Sequence, residues 1–180
     1  IGTVETGHIN VEPVGCGNHA YIADSSGYIH ALEIDGDASN GRKVRIQWQF
    51  KTDSAMNSAL GLTQDYIVAG SNEGTVYCLR RDSGELLWAI SISDYERNSF
   101  RQFSRPCFHR DWVFIGCSNS CVLKLDVHTG MILAVFRTED WIRSSPLVID
   151  DVLFAASLSG TVSLFDMQGN QSEPFFSHRV

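Results

Sequence analysis

Four stretches of the chain repeat one pattern of apolar and polar positions. In each, a short apolar run is followed by a turn rich in Ser, Asn or Gly and then by an alternating apolar run. The stretches are 21–32, 67–79, 114–125 and 154–164. This order predicts a β-hairpin, because glycine readily adopts the positive φ that tight turns require.

The spacing of the repeats is typical of a β-propeller. Gly27, Gly74, Ser120 and Gly160 occupy the turns, 47, 46 and 40 positions apart. A period of about 40–50 residues with several short strands per unit indicates propeller blades, which are four-stranded antiparallel sheets. No helical apolar stripe persists for roughly 10 residues, so we expect almost no helix. The sequence therefore predicts an all-β propeller segment, partial or open, with about four blades.

Each unit divides into four strands, which we call A to D. The predicted strands are 58–62, 66–70, 75–79 and 85–90 in the second unit, and 104–108, 112–116, 121–125 and 131–136 in the third. In the fourth they are 144–148, 152–156, 161–165 and a degenerate strand around 174–176. We predict one domain over 1–180, with blades at approximately 11–52, 58–91, 104–138 and 144–177. A polar insertion at 35–43 lengthens the first C–D turn, and 97–102 is expected to be an irregular link.

Composition and charge exclude several classes of protein. The 180 residues are 43% hydrophobic, which is enough for a buried core. The formal net charge of −7 argues against nucleic acid as a partner, and the longest basic groupings, 42–45 and 80–81, are interpreted as solvated charges in hairpin loops. No stretch has the ~18 apolar residues of a membrane span.

The cysteines do not indicate a disulfide framework. There are five, an odd number: Cys16, Cys78, Cys107, Cys117 and Cys121. The last two bracket a turn, but no matching His or Cys pair elsewhere completes a zinc site. This cysteine usage, together with the lack of a visible secretory signal pattern, favours a cytoplasmic setting over a periplasmic one.

Several motifs resemble the PQQ-like propeller repeat, also called the tryptophan-motif repeat. They are Ser83-Gly84-Glu-Leu-Leu-Trp88, Trp48-Gln-Phe50-Lys-Thr52, Thr129-Gly130 with Phe136-Arg-Thr138, and Ser144-Ser-Pro146-Leu-Val148. The resemblance recurs four times and covers nearly the whole chain. It implies that the tryptophans dock between adjacent blades, and that strand-A serines satisfy backbone groups near a central channel.

The chain also departs from this repeat. Ala134 and Glu173 stand where the third and fourth tryptophans belong, and Ser120 replaces a turn glycine. We therefore expect weaker or different packing at the third and fourth contacts. Because such propellers usually close with more than four blades, the chain is expected to be part of a larger propeller, completed by further sequence or by a second copy. Open blade faces would favour self-association.

No reaction centre is visible in the sequence. Quinone-dependent dehydrogenases of this type need calcium ligands and have a disulfide between adjacent cysteines, but the chain has no Cys-Cys pair. The histidines lack metal spacing, and His30 is interpreted as a hydrogen-bonded strand residue. Ser144 and Ser145 have no nucleophile elbow. WD-type propellers, the nearest rival, would show Gly-His and Trp-Asp dipeptides at fixed places. We predict no catalytic, cofactor-binding or metal-binding residues and no cofactor.

The favoured interpretation is a non-catalytic binding or scaffold domain whose partner is another protein or another domain of the same chain. The resemblance implies a propeller appended to a larger enzyme, such as an adenylate-forming enzyme or a metallophosphoesterase. Alternatives are a bacterial envelope scaffold similar to the propeller lipoprotein of the barrel-assembly machinery, a luminal stress sensor and, last, a fragment of a quinone-dependent dehydrogenase. Hairpin tips around Asn40, Glu73 and Asn119 are the natural binding surfaces, although no individual binding residue is assigned.

Overall fold

The computed structural model describes residues 6–36, 41–92, 102–167 and 172–180, which form sixteen strands in four sheets and no helix. The strands are β1 (Val14–Cys16), β2 (His19–Ala23), β3 (Tyr28–Asp35), β4 (Lys43–Lys51), β5 (Gly61–Leu62), β6 (Tyr66–Gly70), β7 (Thr75–Arg80), β8 (Leu86–Ser91), β9 (Cys107–His109), β10 (Trp112–Cys117), β11 (Cys121–Asp126), β12 (Ile132–Arg137), β13 (Leu147–Ile149), β14 (Val152–Ala156), β15 (Thr161–Asp166) and β16 (Phe176–Arg179). Each sheet is an antiparallel meander of four consecutive strands. The predicted all-β propeller class is confirmed.

The innermost strands are shorter than predicted. The A strands β5, β9 and β13 each begin three residues later than the sequence pattern indicated. In the third and fourth sheets, Pro106 and Pro146 interrupt the predicted segments, and proline has no N–H to donate to a strand ladder. The last strand, β16, forms slightly beyond its predicted position. The predicted irregular link falls largely on residues 93–101, which lie outside the described part of the chain.

The core lies between sheets that are neighbours along the chain. Ile29 of the first sheet belongs to one buried cluster with Ile67 of the second. Val68 of the second sheet belongs to another with Leu123 of the third. Alternate side chains of one strand therefore enter the clusters on its two faces, as the period of two in the sequence predicts.

Tryptophans hold the first two junctions between sheets. Trp88 in β8 donates its indole N–H to the carbonyl of Val127 at 2.8 Å and lies against Gly130 in the next C–D turn. Trp48 makes the same contact with Gly84. A Cβ built on either glycine would lie 2.6–2.7 Å from the indole, and both glycines have positive φ. The docking of tryptophans between blades is therefore confirmed, and glycine is required beneath each of them.

The third junction is packed differently from the first two. In each of the first three sheets, one pair of facing residues on strands C and D has a small and a large side chain, and their positions are reversed in the third sheet. The pairs in the first three sheets are Ala31 with Trp48, Cys78 with Trp88, and Lys124 with Ala134. In the third sheet the large side chain is on strand C. The ammonium group of Lys124, which is 8% exposed, lies 3.3 Å from the centroid of the Trp112 ring.

Phenylalanines and charged groups complete the third junction. Phe136 packs on Phe165 of the fourth sheet with ring centroids 5.2 Å apart. At the A–B turns, His109 and Arg110 approach Asp151 of the fourth sheet at 3.0 and 3.2 Å. The expectation of different packing where the tryptophan is missing is met by an aromatic stack and a charged cluster.

The fourth sheet exposes an apolar row on the face directed away from the third. Leu147, Phe154, Leu164 and Phe176 are paired in register across its four strands. Leu147 and Phe176 are about half exposed, at 52% and 51%. Sheet faces of this kind usually pack against another surface. Self-association through it stays a prediction.

Candidate functional site

One end of the four sheets gathers the B–C turns and the D–A links, and we call it the B–C end. At this end a backbone amide in each B–C turn donates to a carbonyl in the segment that leads into the same sheet. The bonds are Ser25 N to His8 O, Asn72 N to Ala55 O, Ser118 N to Gln102 O, and Leu158 N to Trp141 O, at 2.8–3.0 Å. The turns are thus fixed to the links by one recurrent hydrogen bond, which makes the B–C end a preformed surface.

A cavity of about 340 Å³ opens at the B–C end where the four A strands begin, and we call it the axial cavity. The segments that lead into the first strand of each of the four sheets contribute to its lining. The lining residues are Asn10, Val11, Glu12, Asn57, Ser58, Ala59, Gln102, Phe103, Ser104, Arg105, Arg143 and Ser145. Amides, hydroxyls and guanidinium groups predominate, so the cavity is suited to a polar ligand.

Serines attach the beginning of each of three A strands to the neighbouring B strand. The Ser58 hydroxyl donates to the Gly70 carbonyl at 3.1 Å, and the Ser144 hydroxyl donates to a strand-B carbonyl at 2.8 Å. The Ser104 hydroxyl instead accepts from the Gly116 amide at 2.8 Å. The predicted role of these serines is confirmed, and their hydroxyls are engaged in the fold.

A buried acid–histidine pair lies beside a second pocket, of about 250 Å³, on the first sheet. His30 Nε2 lies 2.8 Å from Asp24 Oδ2, and Gln49 Nε2 lies 2.8 Å from His30 Nδ1. Burial raises the pKa of Asp24, but hydrogen bonds from the Tyr28 amide, the His30 ring and the Gly7 amide outweigh it and hold the pKa below its usual value. Both ring nitrogens are occupied, so His30 is a hydrogen-bonded strand residue, as predicted, and the chain Asp24–His30–Gln49 is structural.

A second carboxylate at the B–C end is held by hydroxyl groups. Thr75 Oγ1 donates to Asp53 Oδ2 at 2.6 Å, and the Asp53 amide donates to the Tyr77 hydroxyl at 3.0 Å. Burial raises the pKa of Asp53, but hydrogen bonds from Ser71, Thr75 and Tyr77 outweigh this effect and hold the pKa below its usual value. This carboxylate is therefore ionised near neutral pH and fixed to the second B–C turn.

The predicted hairpin tips are only partly brought together. Glu73 is exposed, with its amide donating to Ser54 Oγ at 3.0 Å, and Asn119 accepts from the thiol of Cys121 at 2.8 Å. Both lie at the B–C end. Asn40 falls in a C–D turn outside the described residues. Sequence reasoning missed Arg105 and Arg143, since two arginines about 40 residues apart give no signal before the blades are assembled.

The structure places the cysteines and the residue types that can ligate metals. The five cysteines carry reduced thiols in this structure, and Cys117 and Cys121 are paired in register across β10 and β11. Within the described ranges, no three His, Cys, Asp or Glu side chains are grouped so as to hold a metal ion. The same ranges contain no helix that is long and apolar enough to cross a membrane.

Comparison with known proteins identifies relatives of this architecture. The family model described as "Outer membrane protein assembly factor BamB" matches residues 3–173. The BamB of Yersinia pestis is 20% identical over 167 residues, which are 86% of this chain and 40% of that protein. The crystal structure of BamB from Moraxella catarrhalis is 25% identical, with a TM-score of 0.71, and the match covers 90% of this chain and 48% of the other. The chain thus spans less than half the length of these relatives.

Two further structures share the fold alone. The quinohemoprotein alcohol dehydrogenase of Comamonas testosteroni is 11% identical, with a TM-score of 0.76 over 97% of this chain and 35% of the enzyme. The computationally designed protein Ika4 is 17% identical, with a TM-score of 0.72 over 92% of this chain and 96% of the design. Four consecutive four-stranded sheets, the first three joined by two docked tryptophans, and a family model that covers residues 3–173 show that the chain belongs to the PQQ-like propeller family described as outer membrane protein assembly factor BamB.

Proposed function

We propose that the chain is a non-catalytic scaffold domain that binds a protein partner through its B–C end. The axial cavity supports this proposal most strongly, because the segments that lead into all four sheets form one open, polar depression. Rigid sheets commonly place recognition on the loops that they hold in position.

The rigidity of the B–C end supports binding without large rearrangement. The recurrent amide-to-carbonyl bond fixes each turn, and Ser54 Oγ additionally accepts from the Glu73 amide. A surface that is already ordered loses little conformational entropy when a partner binds. Exposed polar groups around the cavity then provide hydrogen bonds to the partner.

Site-specific photo-cross-linking tests the proposal. A photoreactive residue replaces Ala59 or Glu73 at the B–C end, or Glu85 at the opposite end as the matched control. We expect a defined protein adduct from the first two positions only, and then a stoichiometric complex with the purified partner by calorimetry. Adducts that are equal at both ends, or purified components that do not form a complex, would contradict the proposal.

A second candidate is a role in outer-membrane protein assembly, as in the named relatives. The observation in its favour is the family match together with 25% identity over 90% of the chain to the Moraxella protein. We expect deletion of the gene to lower the amount of folded outer-membrane β-barrel protein, measured by heat modifiability on gels. An unchanged amount would reject this setting and leave the scaffold proposal intact.

The setting beside a larger enzyme, such as an adenylate-forming enzyme, stays a prediction. Reading the codons that flank residues 1–180 in the genome tests it directly. A catalytic domain in the same reading frame is the expected result, and the partner of the propeller would then be that domain.

Self-association is tested by light scattering, where a mass of 20.0 kDa at high concentration would contradict it.

A further inference from the structure

The axial cavity has a cationic lining in an acidic protein. The whole chain has a formal net charge of −7, whereas the ionisable side chains of the cavity are Arg105, Arg143 and Glu12. Two guanidinium groups against one carboxylate give the cavity a local charge of opposite sign to that of the chain. A concave site lined by one sign of charge attracts ligands of the other sign.

Both guanidinium groups are available to a ligand. Arg105 and Arg143 are exposed, and neither forms an ion pair with a residue in the described ranges. By contrast, Arg45, Arg80 and Arg110 are all paired with carboxylates. Arg105 and Arg143 therefore belong, with Arg42, Arg81, Arg137 and Arg179, to the arginines of the described ranges that form no ion pair, and these two line the cavity.

We propose that the axial cavity is a carboxylate-binding site whose ligand is an acidic segment of a partner protein, held by Arg105 and Arg143. The proposal rests on the scaffold function and adds the chemistry of the partner. A planar guanidinium donates two parallel N–H bonds to a carboxylate, which gives orientation as well as affinity. The amides of Asn10, Asn57 and Gln102 offer further donors around the anion.

The size and the surrounding charge favour a peptide carboxylate over other anions. A volume of about 340 Å³ accommodates a few side chains rather than a large cofactor. A nucleic acid would bring a long row of phosphates against a chain of net charge −7, and such binding needs an extended basic surface. A short acidic segment needs only the local positive field of the cavity.

The test uses the full 180-residue chain and a fluorescein-labelled, Glu-containing peptide, with binding followed by fluorescence anisotropy. Its matched peptide has Gln in place of each Glu. We expect binding of the Glu peptide only, and weakening as salt is raised from about 50 to about 300 mM, since salt screens exposed charges. No difference between the two peptides would overturn the proposal.

Three variants locate the site. The double variant Arg105→Gln/Arg143→Gln should weaken binding roughly tenfold or more, the loss expected for one or two charge-assisted hydrogen bonds. The matched double variant Arg42→Gln/Arg80→Gln removes the same charge at the opposite end and should bind as the parent chain does. Glu12→Gln should tighten binding roughly twofold to fivefold, because it removes the negative charge of the lining. Equal effects of the two double variants would assign the attraction to net charge and overturn the site.

Two further outcomes separate this inference from the scaffold function. If citrate competes and the Glu peptide binds no more tightly than citrate, the cavity is a site for small acids and the peptide assignment is wrong. If a partner identified by cross-linking binds the Arg105→Gln/Arg143→Gln variant with unchanged affinity, the carboxylate inference fails while the scaffold function stands. Circular dichroism of each variant verifies that the sheets are retained.

Discussion

The second and third junctions between sheets solve the same packing problem with different residues. At the second junction, Trp88 on strand D lies over a small strand-C neighbour, Cys78, and against Gly130 of the next sheet. At the third, strand D has Ala134 and strand C has Lys124, whose charge lies over an aromatic ring. Each pair thus combines one large and one small side chain, and placing the large one on strand C of the third sheet introduces a buried charge.

The largest effect should follow removal of the indole from the second junction. Trp88→Ala should lower the free energy of unfolding by about 3–5 kcal/mol, because it leaves a cavity and leaves the Val127 carbonyl with only the weak thiol donor of Cys78. Urea denaturation measures the loss. Trp141→Ala, which removes a half-buried indole from a D–A link, is the control and should cost less than half as much. Equal losses of unfolding free energy in the two variants would show that an indole docked between sheets stabilises the fold no more than an indole in a link does.

Adding a side chain to the glycine beneath the indole should cause the next largest loss of stability. Gly130→Ala places a Cβ 2.7 Å from the Trp88 ring at a φ of 73°, so we expect a loss of about 2–4 kcal/mol from crowding and backbone strain. Gly17→Ala is the matched control, because its φ is 62° and nothing lies within 4 Å of the new Cβ. It should show only the strain, about 1 kcal/mol. A similar loss in both variants would remove the indole contact from the explanation.

Restoring the usual pair at the third junction tests whether the volumes are coupled. Ala134→Trp alone should destabilise the protein by crowding Lys124, and Lys124→Cys alone should leave a void. The double variant should be more stable than the sum of the single effects predicts, by about 1–3 kcal/mol of coupling. A double-mutant cycle in urea measures this value. Strict additivity would show that the two positions adapt independently.

Alkaline pH should lower the contribution of Cys78, at the second junction, to the stability of the fold and raise that of Lys124, at the third. Burial raises the pKa of the Cys78 thiol from 9.0 to about 12, so the folded state retains a proton that the unfolded chain loses, and stability falls as pH rises above 9. Burial lowers the pKa of Lys124 below 10.5, although Asp151 opposes the shift. The unfolded chain then retains its lysine proton longer, and this group adds stability as pH approaches 10.5.

Urea unfolding between pH 8 and 11 separates these contributions, each at most about 1.4 kcal/mol per pH unit. Cys78→Ala should make the alkaline loss of stability shallower, and Lys124→Met should make it steeper. Identical pH profiles for the two variants would contradict the assigned burial of the two groups.

The sequence predicts the repeated features well and the unique ones poorly. Gly27, Gly74 and Gly160 mark turns whose positive φ only a few residues tolerate, so the B–C hairpins could be located from the chain alone. The position of Lys124 over the Trp112 ring is unique to the third sheet, and no local pattern in the sequence reveals it. The axial cavity depends on four segments far apart in sequence, and its two arginines become neighbours only when the blades assemble.

The buried clusters that each join two neighbouring sheets give the molecule a chain of nearest-neighbour couplings. In such an array, each sheet derives much of its stability against local unfolding from the sheets beside it. The fourth sheet, with its exposed apolar row, is therefore the expected starting point of fraying, whereas the second and third sheets lie inside the array. Amide hydrogen exchange should record this as a gradient, fastest in β16 and slowest in β6, β7, β10 and β11.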